Sequence, residues 1–203
     1  MNSWLGFGYD SMVWGLALCA ITVPLLGIAQ LLFRERLGVY WMIICATLTI
    51  YAAGIMVFTL FPLKNQEPFT CSRDPLRTTP FQSFAEVLDM SSSQGFTSIL
   101  MSSQFLQIVC NVLLFMPLGF LDRAVFKRSL LVSTLIAAGL SLAIELTQLT
   151  GIWGVYDCAY RIFDVDDLMT NTAGGLLGTT LALAWVTARR REERLMPILG
   201  AKR

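Results

Sequence analysis

The chain has 203 residues, of which 55% are hydrophobic and 14% charged, with a formal net charge of +1 and no histidine. Soluble domains carry about 25% charged residues, so a water-soluble globular fold is excluded, and the mean hydropathy of +0.63 points to a bilayer as the solvent. Missing histidine excludes His-dependent phosphatase, protease and His-ligated zinc chemistry. The net charge says little by itself because the charge is segregated, and the basic tail reads as a topology signal and anionic-lipid contact rather than a nucleic-acid patch.

Five long apolar stretches are predicted to cross the bilayer, at residues 11–33, 39–61, 105–121, 130–150 and 168–188. The first is read as a true span rather than a cleavable signal, since no basic region precedes it and no small-residue cleavage site follows. Orientation comes from the basic residues. Arg34 and Arg36 follow the first span, Arg123, Lys127 and Arg128 follow the third, and six more lie in the tail at 189–203. These are eleven of the fifteen, so the amino terminus is predicted outside and the carboxy terminus in the cytoplasm. The expected architecture is an all-α integral membrane protein in one domain, residues 1–203, with about five transmembrane helices and a basic cytoplasmic tail at 189–203. It resides in the cell membrane as a multi-pass protein in contact with membrane lipids.

Pro24 falls in the first span and is expected to kink it, which transmembrane helices tolerate. Tyr40 and Trp41 open the second span at the cytoplasmic interface, and Pro62 stops it. The exterior connection at 64–104 is long for a structureless loop. Within it Phe81, Phe84, Val87 and Leu88 share one face at helical spacing, giving a short interfacial helix. A partly disordered loop with one amphipathic turn is the alternative reading. Pro117 is expected to kink or end the third span near its inner side. Cys19, Cys45 and Cys110 fall within spans as small core residues, whereas Cys71 and Cys158 both fall in exterior loops, where a disulfide between them can form.

The polar residues of the last three spans concentrate at one depth. Asn111 lies roughly 9 Å below the outer start of the third span. Glu145 lies about 7–8 Å below the outer end of the fourth, and Asn171 lies as far below Asp166. Gln148 sits nearer the surface, and Ser141, Glu145 and Gln148 share one face of their helix. Unpaired polar groups cost several kcal/mol in hydrocarbon, so these residues are expected to face one another. A buried Glu145 must take a proton, pair with Arg161, or help hold a cation. Arg161 is expected to pair with Glu145 or Asp164 when the site is empty. Asp164, Asp166 and Asp167 cluster at the mouth of the fifth span, where one of them suits the helix N-terminus well. The bland reading of the whole set is interhelical polar glue beneath an acidic loop. Below Asn171, the spacing of Gly174 and Gly178 permits close helix contact.

Three ordered motifs give these residues a resemblance. The run Asn-Val-Leu-Leu-Phe-Met-Pro-Leu-Gly-Phe occupies 111–120, Ile-Glu-Leu-Thr-Gln occupies 144–148, and Arg-Ile-Phe-Asp-Val-Asp-Asp-Leu-Met-Thr-Asn-Thr-Ala-Gly-Gly occupies 161–175. With Thr79-Pro80-Phe81 ahead of them, the core at 79–178 resembles the VanZ-like family of bacterial membrane proteins. The resemblance implies a Gram-positive-type cell envelope and a link to teicoplanin resistance. Two classes of function stay open. In one, the outer-leaflet site binds or modifies an envelope lipid, a lipid-linked wall precursor or a glycopeptide. In its enzymatic form Glu145, Arg161, Asp164 and Asp167 are the candidate catalytic groups. Asn111, Gln148, Asp166 and Asn171 are then the candidate binding groups, and Asp164, Asp166 and Asp167 the candidate ligands of a divalent cation cofactor. In the other, the protein is a structural partner of envelope proteins. Oligomeric state is not legible in the sequence.

Overall fold

The computed structural model describes residues 2–34, 38–60, 74–93, 96–159 and 161–195, and it is helical almost throughout. Contacts divide the chain into two compact units, Met1–Phe69 and Thr70–Arg203.

The first unit is a helical hairpin of α1 (Asn2–Arg34) and α2 (Val39–Thr59). Gly15 packs on Ile50, the Cys19 thiol donates to the Ala46 carbonyl at 3.4 Å, and Thr22 meets Thr49 at 3.2 Å. From Gly15–Ile50 to Cys19–Ala46 the position rises along α1 and falls along α2, so the hairpin is antiparallel. Pro24 sits inside α1, which continues past it. At the turn the Gly38 N–H donates to the Gln30 side chain.

The second unit holds β1 (Leu76–Arg77), α3 (Gln82–Ser93), α4 (Phe96–Leu100), α5 (Ser103–Ala124), α6 (Leu130–Leu149), the single turn α7 (Gly151–Gly154), β2 (Phe163–Asp164) and α8 (Val165–Leu195). Helices α5 and α6 start on serine caps: Ser102 accepts from the Phe105 N–H and Ser129 from the Val132 N–H. The third apolar stretch therefore begins earlier and ends later than its hydropathy indicates. Pro117 does not end it; α5 runs on to Ala124, one missing N–H being tolerable inside a long helix.

Helices α5 and α8 lie parallel and touch backbone to backbone. A Cβ on Gly174 would strike the Val112 carbonyl oxygen, and one on Gly178 the Met116 carbonyl oxygen. Between them the Thr179 hydroxyl bonds to the Gly119 carbonyl at 3.2 Å and the Gly175 carbonyl at 2.9 Å. Helix α6 runs antiparallel to α8, with Ala137 filling the space above Gly175. Phe115, Ala137 and Ala182 are fully buried at the centre of this three-helix bundle. The glycines thus serve packing, as small residues do at helix seams in lipid.

Among the described residues, four helices are long and apolar enough to cross a membrane: α1 over Gly15–Leu32, then α2, α5 and α6. Helix α8, expected as the fifth, is not among them. Its threonines, Asn171 and glycines dilute the apolar content that length alone would satisfy. It also extends as helix to Leu195, so the first part of the expected tail continues α8, with Arg189 and Glu193 at helical spacing 3.9 Å apart.

Outside the spans the structure adds what the sequence reading did not contain. Strands β1 and β2 form a two-residue parallel pair, Leu76 opposite Phe163 and Arg77 opposite Asp164. The expected interfacial helix forms as α3. Phe81 precedes the helix at φ 64°, and both Phe81 and Leu88 are exposed, while the buried position is Ser83. Cys158 is disulfide-bonded and Cys19, Cys45 and Cys110 are free thiols. Cys71, its expected partner, lies outside the described residues.

Candidate functional site

The end of the second unit where α8 begins is organised by carboxylates. Asp166 is 1% exposed, and its two oxygens accept the Phe81 N–H at 2.6 Å and the Ser83 N–H at 2.7 Å. These are donors at the start of α3, where a helix has no internal acceptors to offer them. Asp166 therefore caps a helix that precedes it by more than eighty residues. Asp164 is also buried. One oxygen accepts the Asp166 N–H at 2.9 Å, fixing the first turn of α8, and the other faces Arg77 at 3.5 Å. Arg77 reaches on to Glu86 and to the Ser83 hydroxyl, tying β2 to α3. Burial pushes the Asp164 carboxyl above its ordinary value, while the Asp166 N–H and the Arg77 guanidinium pull the other way.

Glu145 is 2% exposed, and one of its oxygens accepts the Asp164 N–H at 3.0 Å. It thereby joins α6 to β2. One turn further in, Ser141 accepts from the Asn171 amide at 2.9 Å, leaving the buried Asn171 carbonyl oxygen without a partner. Gln148 is buried on the same face of α6. On the other side of α8, Asp167 accepts from Gln107 at 2.7 Å and Asn111 at 2.8 Å, and Asn111 also approaches Thr170 at 3.4 Å. Glu145 and Asn171 share the α6–α8 seam rather than facing opposite ways. Asn111 and Asp167 share the α5–α8 seam. Both seams meet at the outer end of α8.

Two expectations are corrected by this arrangement. Arg161 makes no ion pair within 4 Å among the described residues. Asp164 is paired with Arg77 instead, and Glu145 is met by a backbone N–H. Arg161 is exposed, and its charge acts on both Glu145 and Asp167 from a distance. The three aspartates do not gather into a cation-ligand set either. Asp166 turns to α3, Asp167 to α5 and Asp164 to Arg77, and no group of three acidic or sulfur side chains among the described residues is placed to hold a metal. Asp166 has both oxygens engaged by backbone donors that a hard cation would have to displace.

Sequence reasoning missed Arg77, Glu86 and Gln107. Gln107 was within reach, since it lies one helical turn before Asn111 and so faces the same seam. Arg77 and Glu86 gave no signal, because Arg77, which Glu86 pairs with, reaches Asp164 only through the β1–β2 pairing across 87 positions.

The family model described as VanZ/LLP1 matches residues 48–186, which takes in the whole of this site. No curated protein and no solved structure matches the chain.

Proposed function

The chain belongs to the VanZ/LLP1 family, and from that premise we propose that it works at the outer leaflet of a Gram-positive-type cell membrane. There it recognises an anionic envelope amphiphile and contributes to teicoplanin-type resistance. The ligand is a membrane lipid, a lipid-linked wall precursor or the lipoglycopeptide itself. The protein spans the membrane several times, with the site facing out, as the basic residues at 123–128 and 189–194 on the opposite side require.

One observation carries this reading: Arg161 stands exposed and without an ion pair among the described residues, beside carboxylates whose own bonds are already made. An arginine so placed is ready to take a phosphate or carboxylate in the two-pronged geometry that its planar group offers. Recognition is favoured over acid–base chemistry because Asp164, Asp166 and Asp167 are held by backbone or amide donors. Glu145 shapes the field around Arg161 and holds β2 in place.

Arg161→Lys keeps the charge and loses the planar fork, so it is expected to express normally and to lose most of the protection. Glu145→Gln keeps an oxygen for the Asp164 N–H and removes only the charge, so the fold is expected to survive while protection falls. Teicoplanin susceptibility would be compared in cells carrying each variant, wild type and empty vector at matched membrane levels. Wild-type protection in both variants would remove this pair from the function and leave them as structural glue.

A further inference from the structure

Between α6 and β2 the backbone does something costly. Gly151, Ile152, Trp153 and Gly154 follow one another at φ 61°, 55°, 57° and 89°, a left-handed turn. L-residues other than glycine resist that region by roughly 1–2 kcal/mol each, and a β-branched isoleucine is among the least suited. The turn is held from several sides. Thr150 accepts the Trp153 N–H at 3.1 Å and the Gly154 N–H at 3.0 Å, and the Gly151 carbonyl accepts the Tyr156 N–H at 2.8 Å. Gly151 leaves no room for a side chain, since a Cβ would lie 2.5 Å from the Tyr156 carbonyl oxygen and 2.6 Å from that of Cys158. Cys158 is itself locked in a disulfide.

Trp153 and Val155 add no core burial to offset this strain. Trp153 is 69% exposed and Val155 73%, and Ile162, beside the exposed Arg161, is 48% exposed. Helix α6 ends at Leu149 and α8 starts at Val165, so the connection lies at the end of two bundle helices, at headgroup level. A strained backbone that presents a tryptophan outward, with a cation in the same short loop, fits a lipid interface. Tryptophan favours that depth, and arginine suits phosphate.

We infer that residues 151–159, with Arg161 and Ile162, form an interfacial wedge: Trp153 and Val155 enter the leaflet, and Arg161 holds the phosphate of an anionic phospholipid. The inference rests on the outer-leaflet reading above and names its ligand class. Asp157, exposed in the same loop, opposes an anionic headgroup. Asp157→Asn is therefore expected to strengthen the preference.

The test uses full-length protein with Trp153 as its only tryptophan, reconstituted in mixed phosphatidylglycerol and phosphatidylcholine vesicles. Lipids brominated near the headgroup are expected to quench Trp153, and iodide in the water is expected not to. Brominated phosphatidylglycerol should quench as though enriched about fivefold around the loop, the ratio that one basic residue near a charged surface supports. Arg161→Gln should abolish the enrichment and keep the quenching. Quenching by iodide and not by lipid would overturn the wedge. Equal quenching by both lipids in the wild type would overturn the headgroup assignment. Neither outcome depends on antibiotic protection, so wild-type protection in the Arg161 and Glu145 variants with this quenching intact would count against the proposed function alone.

Discussion

Gly178→Val is expected to disrupt the bundle of α5, α6 and α8. At this position the α8 backbone lies against the Met116 carbonyl oxygen, and a Cβ would strike it and crowd the Phe120 N–H. The obstacle is backbone, so no side-chain rotation can relieve it, and the two helices must separate. Separation would also break the Thr179 bond to Gly119 and open the contacts at Gly174 and Gly119. Overpacking of this kind costs about 3 kcal/mol, at the upper end of the usual range, or roughly a hundredfold in the folded-to-unfolded ratio. Titrating the purified protein with denaturing detergent would measure the change. Gly139→Val on α6 is the control, since nothing lies within 4 Å of the side chain it would add. Equal stability of the two variants would mean that the α5–α8 contact is not the seam of the bundle.

The second large effect is local. Asp166→Ala removes both acceptors that hold the start of α3, the partners of the Phe81 and Ser83 N–H groups. Charge-assisted bonds contribute about 1.5–3 kcal/mol each. The pair is expected to cost less than twice that, because the freed N–H groups can reach water once α3 lifts. Phe81 sits at φ 64°, a conformation that this cap helps to hold. Hydrogen exchange should show protection lost through α3 and retained in the bundle helices, and added protease should cut first within 74–93. Asp166→Asn keeps one acceptor oxygen and should fall between the two. Unchanged protection at Phe81 and Ser83 in the alanine variant would show that Asp166 does not anchor α3.

Asp166 also shows what the sequence could and could not reveal. Hydropathy placed α2 and α6 at the right starting residues, because a bilayer imposes length and apolar content locally. It stopped the last helix at 188, where the arginines begin. Helix formation does not require apolar side chains, and α8 continues through them to Leu195. The polar residues on α6 and α8 were found because intramembrane polarity is costly and so conspicuous, and Ser141, Glu145, Asn171 and Asn111 do lie on seams within the bundle.

Their partners were less legible. A carboxylate caps any free N–H that the fold brings near, and nothing local to Asp166 names residues 81 and 83. Spacing grouped Phe81 with Leu88 on one apolar face, and both are exposed; it did not reveal that Ser83 is buried beside Asp166 and Arg77. The left-handed turn at 151–154 was not legible either, because Ile152 and Trp153 within it are residues that ordinarily avoid that region.

The central claim is that the seams of α5, α6 and α8 open on the outer face of the membrane. Single cysteines introduced at positions 125 and 157, in a background lacking the free thiols Cys19, Cys45 and Cys110, test this most directly. Val125 follows α5 at one end of the bundle, and Asp157 lies in the loop beyond α6 at the other. In intact cells an impermeant maleimide is expected to label position 157 at once, and position 125 only after the membrane is opened. Labelling of 125 but not 157 in intact cells would turn the protein over and contradict the account.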